Sequence, residues 1–174
     1  VEAQRVADIV TEHAETRPLV SLGVVAFSRA QERAIRSALA DRRAENPQLD
    51  AFLVQNDVQE EFFVKSLEVV QGDERDRILF SVGYGPDENG TMTMNFGPLN
   101  RSGGHRRLNV AVTRARKEVT VVSSILPEDI DTSATESRGV ADFKRYLTYV
   151  KDSEDSQESG DPEEATGCLD EWSS

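Results

Sequence analysis

Short apolar runs of strand length alternate along this chain with longer amphipathic stretches, and that alternation restricts the fold more than any other feature. Val6, Ile9 and Val10 fall at helical spacing within residues 1–16, and Pro18 closes the segment. Leu22-Gly23-Val24-Val25-Ala26-Phe27 reads as a buried strand. Ser28 is a candidate N-cap for a helix over Ala30–Ala44 with Ile35, Ala38 and Leu39 inward, and Asn46-Pro47 is expected to break it. Further strands are expected at Ala51–Val54, Phe62–Lys65, Arg77–Val82 and Val119–Ser123, with helices at His105–Ala115 and Val140–Val150. Pro86-Asp87-Glu88-Asn89-Gly90 is a turn cluster that either joins the strand at Arg77–Val82 to Met92–Phe96 or forms a surface loop. The pattern predicts an α/β fold: a mostly parallel sheet with helices on both faces. Ligands of such sheets sit at the carboxyl ends of the strands, which points to the loops after Phe27, Lys65, Val82 and Ser123.

The 174 residues suit one domain over about residues 1–150, followed by residues 151–174 as an acidic disordered tail or linker. Residues 152–174 carry nine acids and no Lys or Arg, so the net charge of −12 leaves −3 for residues 1–151. A local basic cluster (Arg101, Arg106, Arg107, Arg114, Arg116, Lys117) lies in that nearly balanced body. The single cysteine, Cys168, excludes an internal disulfide and fits a reducing, cytoplasmic setting. There is no apolar run of membrane-spanning length, so no membrane partner is expected. A start at Val1, with no basic stretch and no apolar signal core, reads as a boundary inside a longer protein. His13 and His105 have no Cys or His companions, so no metal site is expected, and Trp172 reads as a tail residue.

Three polar segments carry candidate chemistry. Ser66 to Asp76 (Ser-Leu-Glu-Val-Val-Gln-Gly-Asp-Glu-Arg-Asp) lies between two expected strands. Gly72 lets backbone approach an anion or a sugar, Gln71 offers a donor and an acceptor, and the Glu74 carboxylate suits ribose hydroxyls. The same residues also fit an ordinary solvated turn. In the second segment, Arg107 and Arg114 lie two helical turns apart, where a fixed cation suits charge developing on a transferring phosphoryl group. A solvated basic helix face is the other reading. The third, Phe27-Ser28-Arg29-Ala30-Gln31, sits at a strand-to-helix junction, where free N–H groups hold a phosphate or Ser28 simply caps the helix. A polar glycine turn and an arginine-studded helix suggest a nucleotide held between two domains. The chain has no Gly-x-x-x-x-Gly-Lys-Ser/Thr, so the loop that cradles phosphates is missing.

Together these segments resemble the second (C-terminal) RecA-like domain of superfamily 1 helicases. The resemblance is to the 1B branch, which contains the nonsense-mediated-decay helicase and the replication helicase-nucleases. Gly23 to Gln31 resembles motif IV, and Ser66 to Asp76 resembles motif V. Arg106-Arg107-Leu108-Asn109-Val110-Ala111-Val112-Thr113-Arg114-Ala115-Arg116 resembles motif VI nearly residue for residue. Asn95-Phe96-Gly97-Pro98-Leu99-Asn100-Arg101 and the run from Ser123 to Val140 are similar to a group of large bacterial helicase-like proteins, in which a nuclease-like domain often follows this motor. The resemblance covers about residues 1–150.

It implies a RecA-like P-loop NTPase-type fold lacking its own Walker A loop, and a half-share in an ATP-dependent nucleic-acid helicase or translocase. The implied cofactor is ATP, with Mg²⁺ held by the first RecA-like domain, and the isolated chain is expected to be inactive. Arg114 would be the arginine finger at the γ-phosphate, with Arg116 a second basic group nearby. Gln71 and Gly72 would line the phosphates and Glu74 the ribose, while Ser66 and Ser28 would touch a single-stranded DNA or RNA backbone. Implied partners are that backbone, the first RecA-like domain of the same polypeptide and a downstream nuclease domain. The family usually has Thr-Pro-Tyr where this chain has Ala26-Phe27-Ser28, so no base-stacking role is carried over there; Glu68 replaces the usual Asp. The alternatives are a non-catalytic RecA-like interaction module, or the translocase half of a restriction or defence nuclease.

Overall fold

A computed structural model describes residues 1–54, 60–86 and 89–158. Cys168 and Trp172 lie outside the described residues, as does the tail from residue 159 onward. The described chain forms two compact units, one of residues 1–85 and 114–124, the other of residues 86–113 and from 125 onward.

The first unit holds a four-stranded, all-parallel sheet in the order β2-β1-β3-β4: β1 Leu22–Ala26, β2 Phe63–Ser66, β3 Arg75–Ser81 and β4 Ala115–Val122. This is the α/β architecture expected of a RecA-like fold. Helix α1 (Glu2–Thr16) buries Val6, Ala7, Val10 and Ala14, and α2 (Arg29–Arg43) buries Ile35, Ala38 and Leu39. Both pack with Leu22, Val24 and Ala26 of β1, Val64 of β2 and Leu79 of β3 into one apolar core. Val25, Ile78 and Phe80 alternate with these along the strands and are also buried.

Helix α2 ends at Arg43, before Asn46-Pro47 as expected, and the same pair then starts helix α3 (Pro47–Leu53). Asn46 Oδ1 accepts from the backbone N–H groups of Gln48 and Leu49 at 3.1 and 3.0 Å, and Pro47 takes the first helical turn, where its missing N–H costs nothing. The strand expected at Ala51–Val54 is therefore helix, with Leu49 and Phe52 buried. Strand β4 begins at Ala115, four residues before the expected start, because it pairs with β3 from Arg75 onward.

The second unit contains α4 (Gly104–Val112) and α5 (Arg138–Glu158), and Met92–Phe96 is not a strand. Asn100 instead ties that stretch into a turn, accepting from Phe96 N–H at 2.5 Å and donating to the Met94 carbonyl at 2.8 Å. Phe96 and Phe143 meet edge to face, with centroids 5.5 Å apart, in a core with Leu99, Leu108 and Ile130. The Leu99 carbonyl accepts from Ser137 Oγ at 2.8 Å. A Cβ on Gly104 or Gly139 would lie 2.1 or 2.3 Å from that oxygen, so only glycine lets α4 and α5 approach it. No described helix is long and apolar enough to cross a membrane.

Candidate functional site

Strands β2 and β3 are parallel but not adjacent, so residues 67–74 must return from the carboxyl end of β2 to the amino end of β3 past β1. Leu67 and Val70 are buried and anchor the return. Lys65 grips Asp73 at 2.6 Å, and Leu67 N–H donates to the Ala26 carbonyl at 2.8 Å. The residues between these anchors, Gln71 and Gly72, are left exposed. Gly72 has φ +89°, a left-handed conformation that glycine tolerates best, and a Cβ there would meet nothing within 4 Å.

Glu74 is consequently delivered to the amino end of β3. There its Oε1 lies 3.4 Å from Nη1 of Arg114, which directly precedes β4. The Arg75 N–H donates to the Arg114 carbonyl at 3.0 Å, so the backbones that carry the pair are themselves joined. The Arg114 side chain is 19% exposed and Glu74 51% exposed, so the cation is partly sheltered and the carboxylate faces solvent. Glu74 and Arg114 thus lie at the amino ends of β3 and β4, while Ser28 and Ser66 lie at the carboxyl ends to which the parallel-sheet rule points. Arg114 also does not share a helix face with Arg107. Helix α4 ends at Val112, and Arg107 donates instead to the Pro98 and Ser102 carbonyls at 3.2 and 3.0 Å.

Arg116 is held differently. Its Nε donates to Asp76 Oδ1 at 2.9 Å, its Nη2 to Glu60 Oε2 at 2.5 Å, and its Nη1 also reaches Glu60. Lys117 adds a second cation to Asp76 at 2.9 Å. The Arg116 guanidinium, with help from the Ser21 hydroxyl, holds the Glu60 carboxyl down at about 2. Asp76 is lowered by Lys117 and then by Arg116, and Arg116 itself is raised by its two carboxylates. Two carboxylates already engage this cation, so it acts as a clamp on the amino end of β4.

At the carboxyl ends of the strands, Ser28 caps α2, its Oγ accepting from Gln31 N–H at 3.1 Å. Exposed Arg29 reaches Glu68 at 3.2 Å. Ser66 closes β2 but is 2% exposed, so in this conformation it offers a ligand almost no surface. Sequence reasoning missed Glu2. Its carboxylate accepts from Ser81 Oγ (2.9 Å), Gly83 N–H (2.7 Å) and Ser124 Oγ (3.0 Å), and Gln31 Nε2 donates to the same Ser81 hydroxyl at 2.9 Å. Only a glycine fits at position 83, with φ +64° and Gln31 carbons 2.6–2.9 Å from where its Cβ would stand. A glutamate in the first turn of a helix carries no such signal in sequence, because its partners lie 79 to 122 residues away.

A buried polar group also lies inside this unit. His13 Nε2–H donates to the Val20 carbonyl at 2.8 Å, leaving Nδ1 to accept from Arg77 Nη1 at 3.3 Å. Burial lowers the His13 pKa below 6.5, against the pull of the Val20 carbonyl, so the neutral ring is favoured. Arg77 Nε sits 2.9 Å from Glu118 Oε1, an ion-pair distance without hydrogen-bond alignment.

Among the described residues there is no group of three or more His, Cys, Asp or Glu able to hold a metal ion. A family model described as an AAA domain matches residues 1–125, a span that includes every residue singled out above for nucleotide or nucleic acid. A Mycoplasma genitalium protein named as an uncharacterized ATP-dependent helicase is 40% identical over 134 residues, 75% of this chain and 11% of that protein. Its homolog in Mycoplasma pneumoniae is 35% identical over 134 residues, with the same shares. The chain therefore spans 11% of the length of these curated relatives. With its parallel sheet and a family match over most of its length, the chain belongs to the AAA domain family.

Proposed function

We propose that this chain is the C-terminal motor domain of a superfamily 1 ATP-dependent helicase or translocase, working in the cytoplasm on a single-stranded DNA or RNA backbone. The observation that carries the reading is the Glu74–Arg114 pair: a sheltered guanidinium 3.4 Å from an exposed carboxylate, beside an open glycine turn. The donor set fits an ATP presented from outside. Arg114 supplies positive charge for the γ-phosphate, Gln71 and the unobstructed backbone at Gly72 line the phosphate side, and Glu74 accepts from ribose hydroxyls. Glu74 also holds Arg114 ready in the meantime. Mg²⁺ and the phosphate cradle belong to a first RecA-like domain of the same polypeptide, and ATP supplies the phosphoryl group whose transfer drives the motor. Arg116 steadies the strand that follows Arg114.

Nucleic acid is assigned to the opposite edge, at the loop of Ser28 and Arg29. Contacts there are to phosphate and sugar, hence independent of sequence. The names of the two Mycoplasma relatives favour the motor reading over a non-catalytic module. The test is an ATPase comparison. The 174-residue chain alone is expected to hydrolyse no ATP, while a polypeptide extended upstream through a phosphate-binding loop does so. Hydrolysis by the chain alone, or a natural upstream sequence without such a loop, would overturn the proposal.

A further inference from the structure

We infer a second nucleic-acid surface: the exposed face of α2, together with the groove beside edge strand β2, binds single-stranded nucleic acid. The inference rests on the nucleic-acid reading above and adds a surface that the motif resemblance does not assign. Helix α2 carries Arg29, Arg33, Arg36, Arg42 and Arg43 against Glu32 and Asp41, five cations less two acids, or +3, in a chain of net charge −12. Helical periodicity concentrates that charge. Arg29, Arg33, Arg36 and Arg43 are exposed at steps of four, three and seven residues, one stripe about 21 Å long. Beside the stripe, Ala30, Ala34 and Ser37 are exposed and too short to screen it.

The stripe borders a groove of about 330 Å³, lined among others by Arg36, Ala40, Arg43, Leu53, Phe62 and Val64. Arg36 is held over it by donating to the Val64 carbonyl on the outer edge of β2. Phe62 is half-buried, its ring tilted against Phe52 at 5.7 Å. Cations that track a backbone, next to an aromatic wall against which a base stacks, are the two elements that single-strand binding combines. The carboxylate partners already present do not block this use. Arg29 pairs with Glu68 at 3.2 Å, Arg36 with Glu32 at 3.2 Å and Arg43 with Asp50, and all three arginines are about half exposed or more. Exposed pairs of this kind are weak and salt-screened, and a phosphate replaces the carboxylate without loss of hydrogen bonds. An acidic peptide without aromatic side chains would satisfy the arginines but brings no ring to stack on Phe62.

The test is fluorescence anisotropy of a labelled single-stranded oligonucleotide titrated with the full 174-residue chain at several salt concentrations. The expected result is salt-dependent binding that weakens at least about tenfold in the Arg33→Gln/Arg43→Gln double variant. The log–log salt slope should fall by about 1.4, roughly 0.7 per lost phosphate contact. Phe62→Leu keeps an apolar side chain against Phe52 and should weaken binding about fivefold or more at an unchanged slope. Circular dichroism checks that each variant keeps its fold. If the double variant binds like the parent chain while Ser28→Gly loses affinity, the α2 surface is refuted and the assignment of the Ser28 loop stands. Absence of oligonucleotide binding at every salt concentration refutes both. If polyglutamate binds as tightly as the oligonucleotide and Phe62→Leu changes nothing, the surface serves acidic peptides and the inference fails.

Discussion

Arg114 and Arg116 stand two residues apart, yet the fold gives them different surroundings. Arg114 is sheltered and lies beside the exposed Glu74 carboxylate; Arg116 is gripped by Glu60 and Asp76. Arg116→Ala is therefore expected to lower the urea midpoint while leaving nucleotide affinity in the full polypeptide unchanged; a lost affinity at an unchanged midpoint would reverse the assignment. The φ of +89° makes Gly72→Ala cost about 1–2 kcal/mol in the same denaturation experiment, despite the open space around it. His13 predicts an acid limb. Its folded pKa lies below 6.5, so the unfolded state binds the extra proton; stability is full above pH 6.5 and declines as pH falls below it. In His13→Gln, whose amide can keep the bond to Val20, the fall in stability between about pH 6.5 and 5 should be shallower than in the parent. Equal slopes would remove His13 from the titration.

At the scale of elements, much was legible, because local patterns and local structure agree. Val24, Ala26 and Leu79 lie in short apolar runs that became strands, and Ser28 caps α2 as its position implied. What failed had competing local signals. The short apolar run Ala51–Val54 reads as a strand, yet Asn46-Pro47, which does separate it from α2, is also a cap followed by a proline in the first turn of α3. Helix α4 ends at Val112, short of the expected Ala115, because pairing with β3, which sequence does not display, draws residues from Ala115 onward into β4. The destination of residues 66–74 is illegible in sequence for the same reason. Only the strand order shows that eight residues cross β1 and carry Glu74 to the amino edge. Likewise, Glu60 and Arg116 lie 56 residues apart, and nothing in either neighbourhood announces their pairing. The approach of α4 and α5 to the Leu99 carbonyl yields another prediction. Gly104→Ala must displace backbone rather than a flexible side chain, and should cost about 1–3 kcal/mol, read as a lowered thermal midpoint; an unchanged midpoint would mean the second unit gives way more easily than its contacts imply.

Across the whole molecule, the sheet of the first unit separates two kinds of chemistry. Its amino edge carries the Glu74–Arg114 pair and the Arg116 clamp; its carboxyl edge carries Ser28, Arg29 and the Glu2 network. The segment from Ser66 to Glu74 begins at one edge and ends at the other. Under the proposed function, a shift at the nucleotide would have a short covalent route to the nucleic acid, anchored by Leu67, Val70 and the Lys65–Asp73 pair. The central claim concerns the cation at one end of that route. It is tested most directly in the full polypeptide by measuring ATP affinity and single-turnover hydrolysis side by side for Arg114→Ala. Hydrolysis is expected to fall at least about 100-fold while ATP still binds, the pattern of a group that stabilises the transition state. Near-normal turnover with bound ATP would contradict the assignment and leave Arg114 as no more than a partner for Glu74.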